Sequence, residues 1–123
     1  AGRWEVVLDP MQASTTNETL SAQQGEGTPV VCADVLVGDV WLASGQSNMD
    51  MAFSGSSFYD VDKDAADFAN IRFFITPKTV FPPAPPDPTK PPPPAPVWES
   101  VSKETAGPMT AVGYYFARDV HLS

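Results

Sequence analysis

The chain has 123 residues, 42% of them hydrophobic, and 15 acidic against 7 basic side chains give a formal net charge of −8. This length predicts one domain with enough apolar residues for a core. Nucleic acids and anionic membrane surfaces require clustered Lys or Arg, so the charge excludes both as expected partners. Every apolar run is shorter than the roughly 20 residues of a membrane span, and no membrane segment is predicted.

The first 33 residues predict a small β-rich lead-in beside the main sheet. Trp4–Leu8 alternates partly and ends at Asp9-Pro10, which indicates a short strand closed by a turn. A second strand is expected at Thr16–Leu20, a hairpin loop at Gln23–Thr28, and a further strand from Pro29 to Cys32.

Two residues of the lead-in belong to types that form covalent links, a disulfide at Cys32 and an N-linked glycan at Asn17. Cys32 is the single cysteine, and its apolar surroundings favour a small core residue, with a bridge to another segment as the alternative. Asn17-Glu18-Thr19 fits the N-glycosylation acceptor pattern. That pattern predicts a glycoprotein only if the chain is secreted.

The next stretch predicts a strand that leads into an exposed serine. Val35–Ala43 is almost continuously apolar, which is typical of a parallel strand covered on both faces. The turn Ser44–Gln46 follows, and Ser47 opens a short helix expected over Asn48–Phe53. Such a turn exposes the hydroxyl, and the first free N–H groups of the helix point to where an oxyanion would develop. A simple helix cap is the alternative for a serine at this position.

An acidic segment follows the serine. Asp60, Asp62 and Asp64 have the spacing of the first three ligands of a calcium loop, but Ala65 and Ile71 stand where Gly and Glu are required. We therefore expect no metal site. The segment is predicted to be a solvated helix start, with Ala65, Ala66 and Phe68 turned inward.

The middle of the chain changes abruptly in composition. Ile71–Ile75 predicts a strand that Pro77 ends. From Pro82 to Pro96, 10 of 15 residues are proline, and this excludes helix and central strand. A stiff polyproline insertion over 82–96 is expected, with docking into an aromatic groove as the alternative.

The last part of the chain predicts a strand and a helix. Extended structure resumes at Val97–Val101, and Gly107-Pro108 forms a turn. Thr110 is expected to cap a helix from Ala111 to about His121. Its inward face is predicted to carry Met109, Val112, Phe116 and Val120, which recur at spacings of three and four. Gly113 is expected at a close contact between this helix and the sheet.

Three blocks of the chain resemble the sialate O-acetylesterase family of the SGNH-hydrolase superfamily. The most specific is the serine block Gly38–Met49, which reads GDVWLASGQSNM. Upstream, Trp4–Met11 and Asp34–Leu36 are similar to the approach to the serine in that family. Downstream, Trp98 and Met109–Arg118 are similar to its next strand and helix.

The resemblance implies a fold class and a site. The fold expected is α/β, a partial SGNH-hydrolase domain of the flavodoxin-like three-layer type, occupying residues 34–123 after the lead-in at 1–33. Ser47 is then the nucleophile, and Gly45, Gln46 and Asn48 shape the turn and the oxyanion site. No metal or organic cofactor is implied. A secreted or lysosomal location is favoured.

The resemblance also implies a catalytic base and an orienting acid that we do not find among these residues. A serine nucleophile needs a base and an orienting acid, and the single histidine is His121. Asp119 stands two positions before it, on a different side of a helix, so it cannot orient that ring. We therefore expect the base, and the remainder of the domain, in a C-terminal segment or second chain.

Three functions follow as hypotheses. The first is removal of O-acetyl groups from a carbohydrate such as sialic acid, with Arg72 or Arg118 as candidate cations for an anionic sugar. The second is a non-catalytic, esterase-like component of an assembly. The third is a related ester hydrolase that acts on xylan or pectin.

Overall fold

The structure is a computed structural model that describes residues 5–78, 89 and 95–123. The chain divides into two compact units, Ala1–Leu42 and Ala43–Ser123. The proline-rich segment 82–96 lies almost wholly outside the described residues, so the polyproline prediction stays a prediction. No helix among the described residues is long and apolar enough to cross a bilayer.

The first unit contains a β-hairpin. Strand β1 (Ser14–Ala22) pairs antiparallel with β2 (Val30–Val37). The connecting turn is closed by a 3.0 Å hydrogen bond from the Gly27 N–H to the Gln24 carbonyl, and Gly25 adopts a positive φ of 56° that suits glycine. The predicted hairpin at Thr16–Leu20, Gln23–Thr28 and Pro29–Cys32 is therefore confirmed.

Two predictions for this unit are wrong. Residues 5–8 form no strand, and Trp4 lies outside the described residues. The predicted central strand Val35–Ala43 is not formed either, because Val35–Val37 completes β2 against β1 and residues 38–45 are not in a strand. A bulge between Cys32 and Val35, with Asp34 at φ 62°, lets β2 reach Val37.

Cys32 is exposed on β2, which contradicts its prediction as a core residue. Asn17 is also exposed, in the middle of β1. Most residues of both strands are exposed. β-Branched side chains are common in strands whether or not a face is buried, so they do not show that Cys32 lies in a core.

The second unit is a mixed α/β arrangement. In chain order it contains helix α1 (Ser47–Asp50), a 3₁₀ turn (Phe53–Gly55), α2 (Tyr59–Asp62) and a second 3₁₀ turn (Lys63–Ala65). Strands β3 (Phe68–Phe73) and β4 (Glu99–Val101) and helix α3 (Ala111–Leu122) follow. The elements agree in type with those predicted, and their ends differ by a few residues. Within the described ranges both sheets are two-stranded and antiparallel, so the parallel doubly wound sheet stays a prediction.

One aromatic stack organises the core of this unit. The ring of Phe53, fully buried, lies on Tyr114 with centroids 3.9 Å apart and planes 23° from parallel. Tyr59 and Tyr115 meet Phe53 edge-on at 5.0 and 5.7 Å. Around this stack the core is completed by residues from β3, β4 and the loops, namely Ala66, Ile71, Phe73, Val101, Ala106 and Met109.

Of the four residues predicted to face inward at α3, Met109 just before the helix is buried, but the three within the helix are not. Val112, Phe116 and Val120 are 45%, 45% and 46% exposed, whereas Ala111, Gly113 and Tyr114 are buried. The helix has two apolar stripes, and the one that carries Tyr114 is selected because its ring stacks on Phe53. In the acidic segment, Ala66 is buried and Phe68 half-buried as expected, but Ala65 is exposed.

Candidate active site

Ser47 is exposed and is the first residue of α1. The carbonyl of Gln46 accepts hydrogen bonds from the N–H groups of Met49 (2.8 Å) and Asp50 (3.1 Å), and these bonds form the helix. The first N–H groups of a helix have no partner within it. The N–H groups of Ser47 and Asn48 therefore stand at the same end as the Ser47 side chain.

Gly45 makes this turn possible by its size. A Cβ added to Gly45 would lie 2.6 Å from the Met49 Cγ and 3.2 Å from the Met49 Cβ. Real side chains do not approach this closely, and the near end of a side chain has little freedom to retreat. A side chain at position 45 would therefore force Met49 or the backbone before Ser47 to move.

The segment after Ser47 is fastened to the beginning of α3. The N–H of Ala111 donates to the Met51 carbonyl (2.9 Å), and the N–H of Phe53 donates to the Met109 carbonyl (2.7 Å). An isolated bridge between Ala52 and Thr110 lies between these two bonds. The position of Ser47 is therefore set by the start of α3 rather than by the short helix itself, since four residues have little stability alone.

Gly113 lies at this junction, but its close neighbours differ from those predicted. A Cβ there would lie 2.7 Å from the Thr110 Cγ2 and 3.8 Å from the Ala43 Cβ. The close contact is therefore with the threonine methyl group and the chain before Ser47, not with a strand of the sheet. Thr110 precedes α3 as predicted, but its side chain makes no capping hydrogen bond.

His121 lies at the far end of α3 from Ser47. Ten residues separate it from Ala111, which corresponds to about 15 Å along a helix. Its ring meets Phe68 edge-on at 5.8 Å. Asp119 contacts Arg118, with 2.9 Å between its Oδ1 and the Arg118 Nη2. The structure thus does not bring this histidine to the serine.

Arg118 belongs to a network that fixes α3 to α2. The Tyr115 hydroxyl donates to the Asp62 Oδ2 at 2.9 Å, and the Arg118 Nη1 lies 3.7 Å from the same oxygen. The Arg118 guanidinium also covers the Tyr115 ring at 4.8 Å. The hydrogen bond to Asp119 raises the pKa of Arg118, so its charge is permanent. Burial raises the pKa of Tyr115, which keeps its hydroxyl protonated as a donor.

A cation near the serine was missed by sequence reasoning. Lys78 forms an ion pair with Asp50, the last residue of α1, and both side chains are mostly exposed. The sequence named Arg72 and Arg118 instead. No local signal identifies Lys78, because 27 residues and strand β3 separate it from Asp50. Among the described residues, no cluster of three or more metal-ligating side chains is present.

Three similar curated proteins share one name, sialate O-acetylesterase. The chain is 44% identical over 77 residues to the sialate O-acetylesterase of Mus musculus, which covers 58% of this chain and 14% of the relative. The Rattus norvegicus protein of the same name is 41% identical over 76 residues, with the same coverage. The Homo sapiens protein is 50% identical over 50 residues, 39% of this chain and 10% of the relative.

A solved structure is similar as well. A crystal structure of a carbohydrate acetylesterase from Xanthomonas citri matches with a TM-score of 0.66 and 36% identity, covering 80% of this chain and 22% of that chain. No family model matches. The chain spans about one seventh of the length of the first curated relatives. The resemblance to the sialate O-acetylesterases that the serine block predicts is therefore confirmed over 58% of the chain.

Proposed function

We propose that this chain carries the nucleophile of a carbohydrate O-acetylesterase. The observation that supports this most is the coincidence of two facts at one place. Ser47 is exposed at the start of α1, after a glycine turn with no room for a side chain. The same serine stands in the block Gly38–Met49, whose sequence resembles the sialate O-acetylesterase family, and relatives named for ester hydrolysis match part of the chain.

The proposed reaction is acyl transfer through the serine. The Ser47 Oγ attacks the carbonyl carbon of the acetyl ester, while a histidine from another segment of the protein takes the hydroxyl proton. The N–H groups of Ser47 and Asn48 stabilise the oxyanion, and Gly45 and Gln46 hold the turn that aims them. The sugar hydroxyl leaves with the proton from the histidine. Water then attacks the acetyl-serine, which releases acetate and restores Ser47.

The rest of the machinery is proposed to lie in the longer polypeptide. The curated relatives are about seven times the length that this chain covers. A base, its orienting acid and further oxyanion donors would come from that remainder, in a doubly wound domain that β3, β4 and α3 join. His121 is not proposed as the base, because it lies at the other end of α3.

The substrate class follows from charge. A formal net charge of −8 favours a neutral acetylated sugar over a polyanion. An acetylated sialic acid carries a carboxylate and needs a local cation. Both candidates pair with carboxylates, but the partner of Lys78 is Asp50 on the serine's own helix α1, whereas Arg118 lies on α3 with Asp62 and Asp119, so Lys78 is the cation proposed for this role. Xylan or pectin esters remain the third hypothesis, and rates on a panel of acetylated sugars would separate them.

The proposal includes a secreted or lysosomal location. Its support is the resemblance to the sialate O-acetylesterase family, and in a secretory pathway the acceptor Asn17-Glu18-Thr19, exposed on β1, is expected to be glycosylated. Expression through a eukaryotic secretory pathway is expected to give a glycosidase-sensitive increase in mass that Asn17→Gln removes. A wild-type protein of unmodified mass would contradict glycosylation at this site.

The test of the nucleophile is covalent labelling of the full-length protein with a fluorophosphonate, followed by peptide mass spectrometry. Only a serine activated by an assembled base and oxyanion site reacts. We expect labelling at Ser47, its loss in Ser47→Ala, and its retention in Ser44→Ala, which removes a neighbouring exposed hydroxyl. A folded wild-type protein without label would favour the second hypothesis, a non-catalytic esterase-like component.

A further inference from the structure

Gly113 stands inside helix α3, although glycine is an unfavourable residue there. A glycine in a helix interior loses more backbone freedom on folding than alanine does. The backbone does not call for glycine at this position, because Gly25 is the one glycine with a positive φ among the described residues. Gly113 is buried, so the reason for the missing side chain lies in the space around it.

The space beside Gly113 is occupied by the methyl group of Thr110. A Cβ added to Gly113 would lie 2.7 Å from the Thr110 Cγ2, well inside the 3.4 Å at which ordinary contacts begin. The methyl group has little freedom to turn away, since rotation about χ1 is restricted in a β-branched side chain and the Thr110 Oγ1 on the same carbon is buried. A side chain at position 113 would therefore displace the backbone at Thr110.

Two backbone hydrogen bonds connect this place to the candidate nucleophile. Directly after Thr110, the N–H of Ala111 donates to the Met51 carbonyl at 2.9 Å. The N–H of Met51 in turn donates to the Ser47 carbonyl at 3.1 Å. A displacement at Thr110 therefore acts on Ser47 through two bonded contacts.

The chain before the serine meets the same turn of α3. The Ala43 Cβ lies 3.8 Å from the position that a Cβ of Gly113 would take, which is an ordinary contact distance. Ala43 precedes Ser47 by four residues, and Met51 follows it by four. Both sides of the serine turn are therefore held against the first turn of α3, one by contact with Gly113 and the other through Thr110 and its neighbour.

We infer that Gly113 is a positioning residue for the proposed nucleophile Ser47, an inference that rests on the proposed function. Its missing side chain leaves Thr110 in the place from which Ala111 holds the serine segment. Acyl transfer requires the Ser47 Oγ to be aligned with the ester carbonyl, and a misplacement of about 1 Å can cost about 100-fold in rate.

The test is the steady-state hydrolysis of 4-nitrophenyl acetate by the full-length protein and its Gly113→Ala variant. We expect the substitution to lower kcat by about 10- to 100-fold, because the serine is displaced. KM should change little, since a displaced nucleophile weakens an interaction made only in the transition state. The rate of fluorophosphonate labelling at Ser47 should fall by a similar factor.

A second substitution separates positioning from a general effect of alanine in the helix. Thr110→Ser removes the Cγ2 that a Cβ at position 113 would contact, and it keeps the hydroxyl. The double variant Thr110→Ser/Gly113→Ala should regain most of the lost kcat, whereas Thr110→Ser alone should change kcat little. A folded double variant as slow as Gly113→Ala would contradict the inference. If Gly113→Ala does not fold, a folded and active double variant supports the inference, and a double variant that also fails to fold overturns it.

Gly55→Ala is the matched control, because it makes the same substitution in the same unit where there is room. A Cβ at Gly55 would lie 3.9 Å from the Met51 Cγ, an ordinary contact, and kcat should stay at the wild-type value. A loss of kcat in Gly55→Ala equal to that in Gly113→Ala would show that the contact with Thr110 is not the cause.

Failure of the inference and failure of the proposed function give different results. If the wild type hydrolyses the ester and Gly113→Ala does so equally well, the inference is wrong and the proposed function stands. If the wild type is neither labelled nor active, the proposed function fails, and hydrogen exchange followed by mass spectrometry decides the inference alone. Faster exchange of the Ala111 and Phe53 amides in Gly113→Ala, reversed by Thr110→Ser, would show that Gly113 holds the serine segment in place, and equal exchange overturns it.

Discussion

Gly45 precedes the candidate nucleophile by two residues, and its lack of a side chain is what lets the turn close over Met49. We expect Gly45→Ala to lower the free energy of unfolding by about 1–3 kcal/mol, because overpacking forces Met49 to move. Labelling of Ser47 should fall with it, since α1 shifts. Urea denaturation provides the measurement.

The control for this substitution is Gly55→Ala in the same unit. A Cβ at Gly55 would lie 3.9 Å from its nearest neighbour, which is an ordinary contact. Its effect should stay within about 0.5 kcal/mol. Equal denaturation midpoints for the two variants would show that the Met49 contact does not constrain the turn.

Ionisation of the buried Tyr114 hydroxyl is expected to destabilise the second unit at high pH. Burial raises the pKa of its hydroxyl above the usual value near 10. A raised pKa in the folded state means that the stability it contributes is fully present below about pH 10 and is lost as the pH rises toward the folded pKa. We expect the free energy of unfolding to fall above about pH 10, and to fall less in Tyr114→Phe. An unchanged alkaline slope in that variant would contradict this.

At the residue scale, the sequence predicted where two helices begin but not how their ends are capped. Ser47 opens α1 and Thr110 precedes α3 as predicted, yet the Thr110 side chain makes no capping hydrogen bond. The roles of Ser47 and Gly45 at the site stay predictions. Cys32 was wrong because a lone side chain does not show whether its strand is covered. Lys78 was missed because its partner is distant in sequence.

At the scale of elements, α2 and α3 are joined by the carboxylate of Asp62. It accepts from the Tyr115 hydroxyl, and its side chain and that of Arg118 are each only 28% exposed. We expect Asp62→Ala to lower the free energy of unfolding by about 1.5–3 kcal/mol, the range for a hydrogen bond to a charged group. Thermal or urea unfolding provides the measurement.

Asp60 is the matched control because it lies on the same short helix. Its ion pair with Lys63 (2.7 Å) is exposed to solvent, and exposed pairs contribute little. Asp60→Ala should therefore have a much smaller effect than Asp62→Ala. Similar losses in both variants would mean that general helix charge, rather than the Asp62–Tyr115 bond, stabilises this region.

The type of most elements could be predicted from periodicity and breakers, but the packing face of α3 could not. Val112, Phe116 and Val120 form a regular apolar stripe. The rings that contact Phe53 in the core are instead those of Tyr114 and Tyr115. Which of two apolar stripes is buried depends on the shape of the partner surface. A spacing rule contains no information about that partner.

At the scale of the whole molecule, the core residues that are buried within the described ranges all belong to the second unit. We expect native-state hydrogen exchange to be slow at Tyr114 and at Val101, and fast through β1 and β2. The reason is that a two-stranded hairpin with exposed strands has little stability of its own. Protection in β1 equal to that in α3 would contradict this division.

The pairing of β2 with β1 explains why the predicted central strand is not formed. Val35–Ala43 has the composition of a buried parallel strand, but its first three residues complete a hairpin with β1. A parallel strand needs a parallel neighbour reached through a crossover connection, and composition does not show whether one is present. The similarity to a carbohydrate acetylesterase structure covers 22% of that chain, so the predicted doubly wound sheet stays a prediction.

The exposed thiol of Cys32 has a practical consequence. As the single cysteine of these 123 residues, it gives a sample of this stretch one accessible sulfur on β2. Samples handled in air without a reductant should accumulate covalently linked pairs, visible as doubled mass on a non-reducing gel and absent in Cys32→Ser. The same sulfur is expected to react with a maleimide dye, which places a fluorophore on the hairpin.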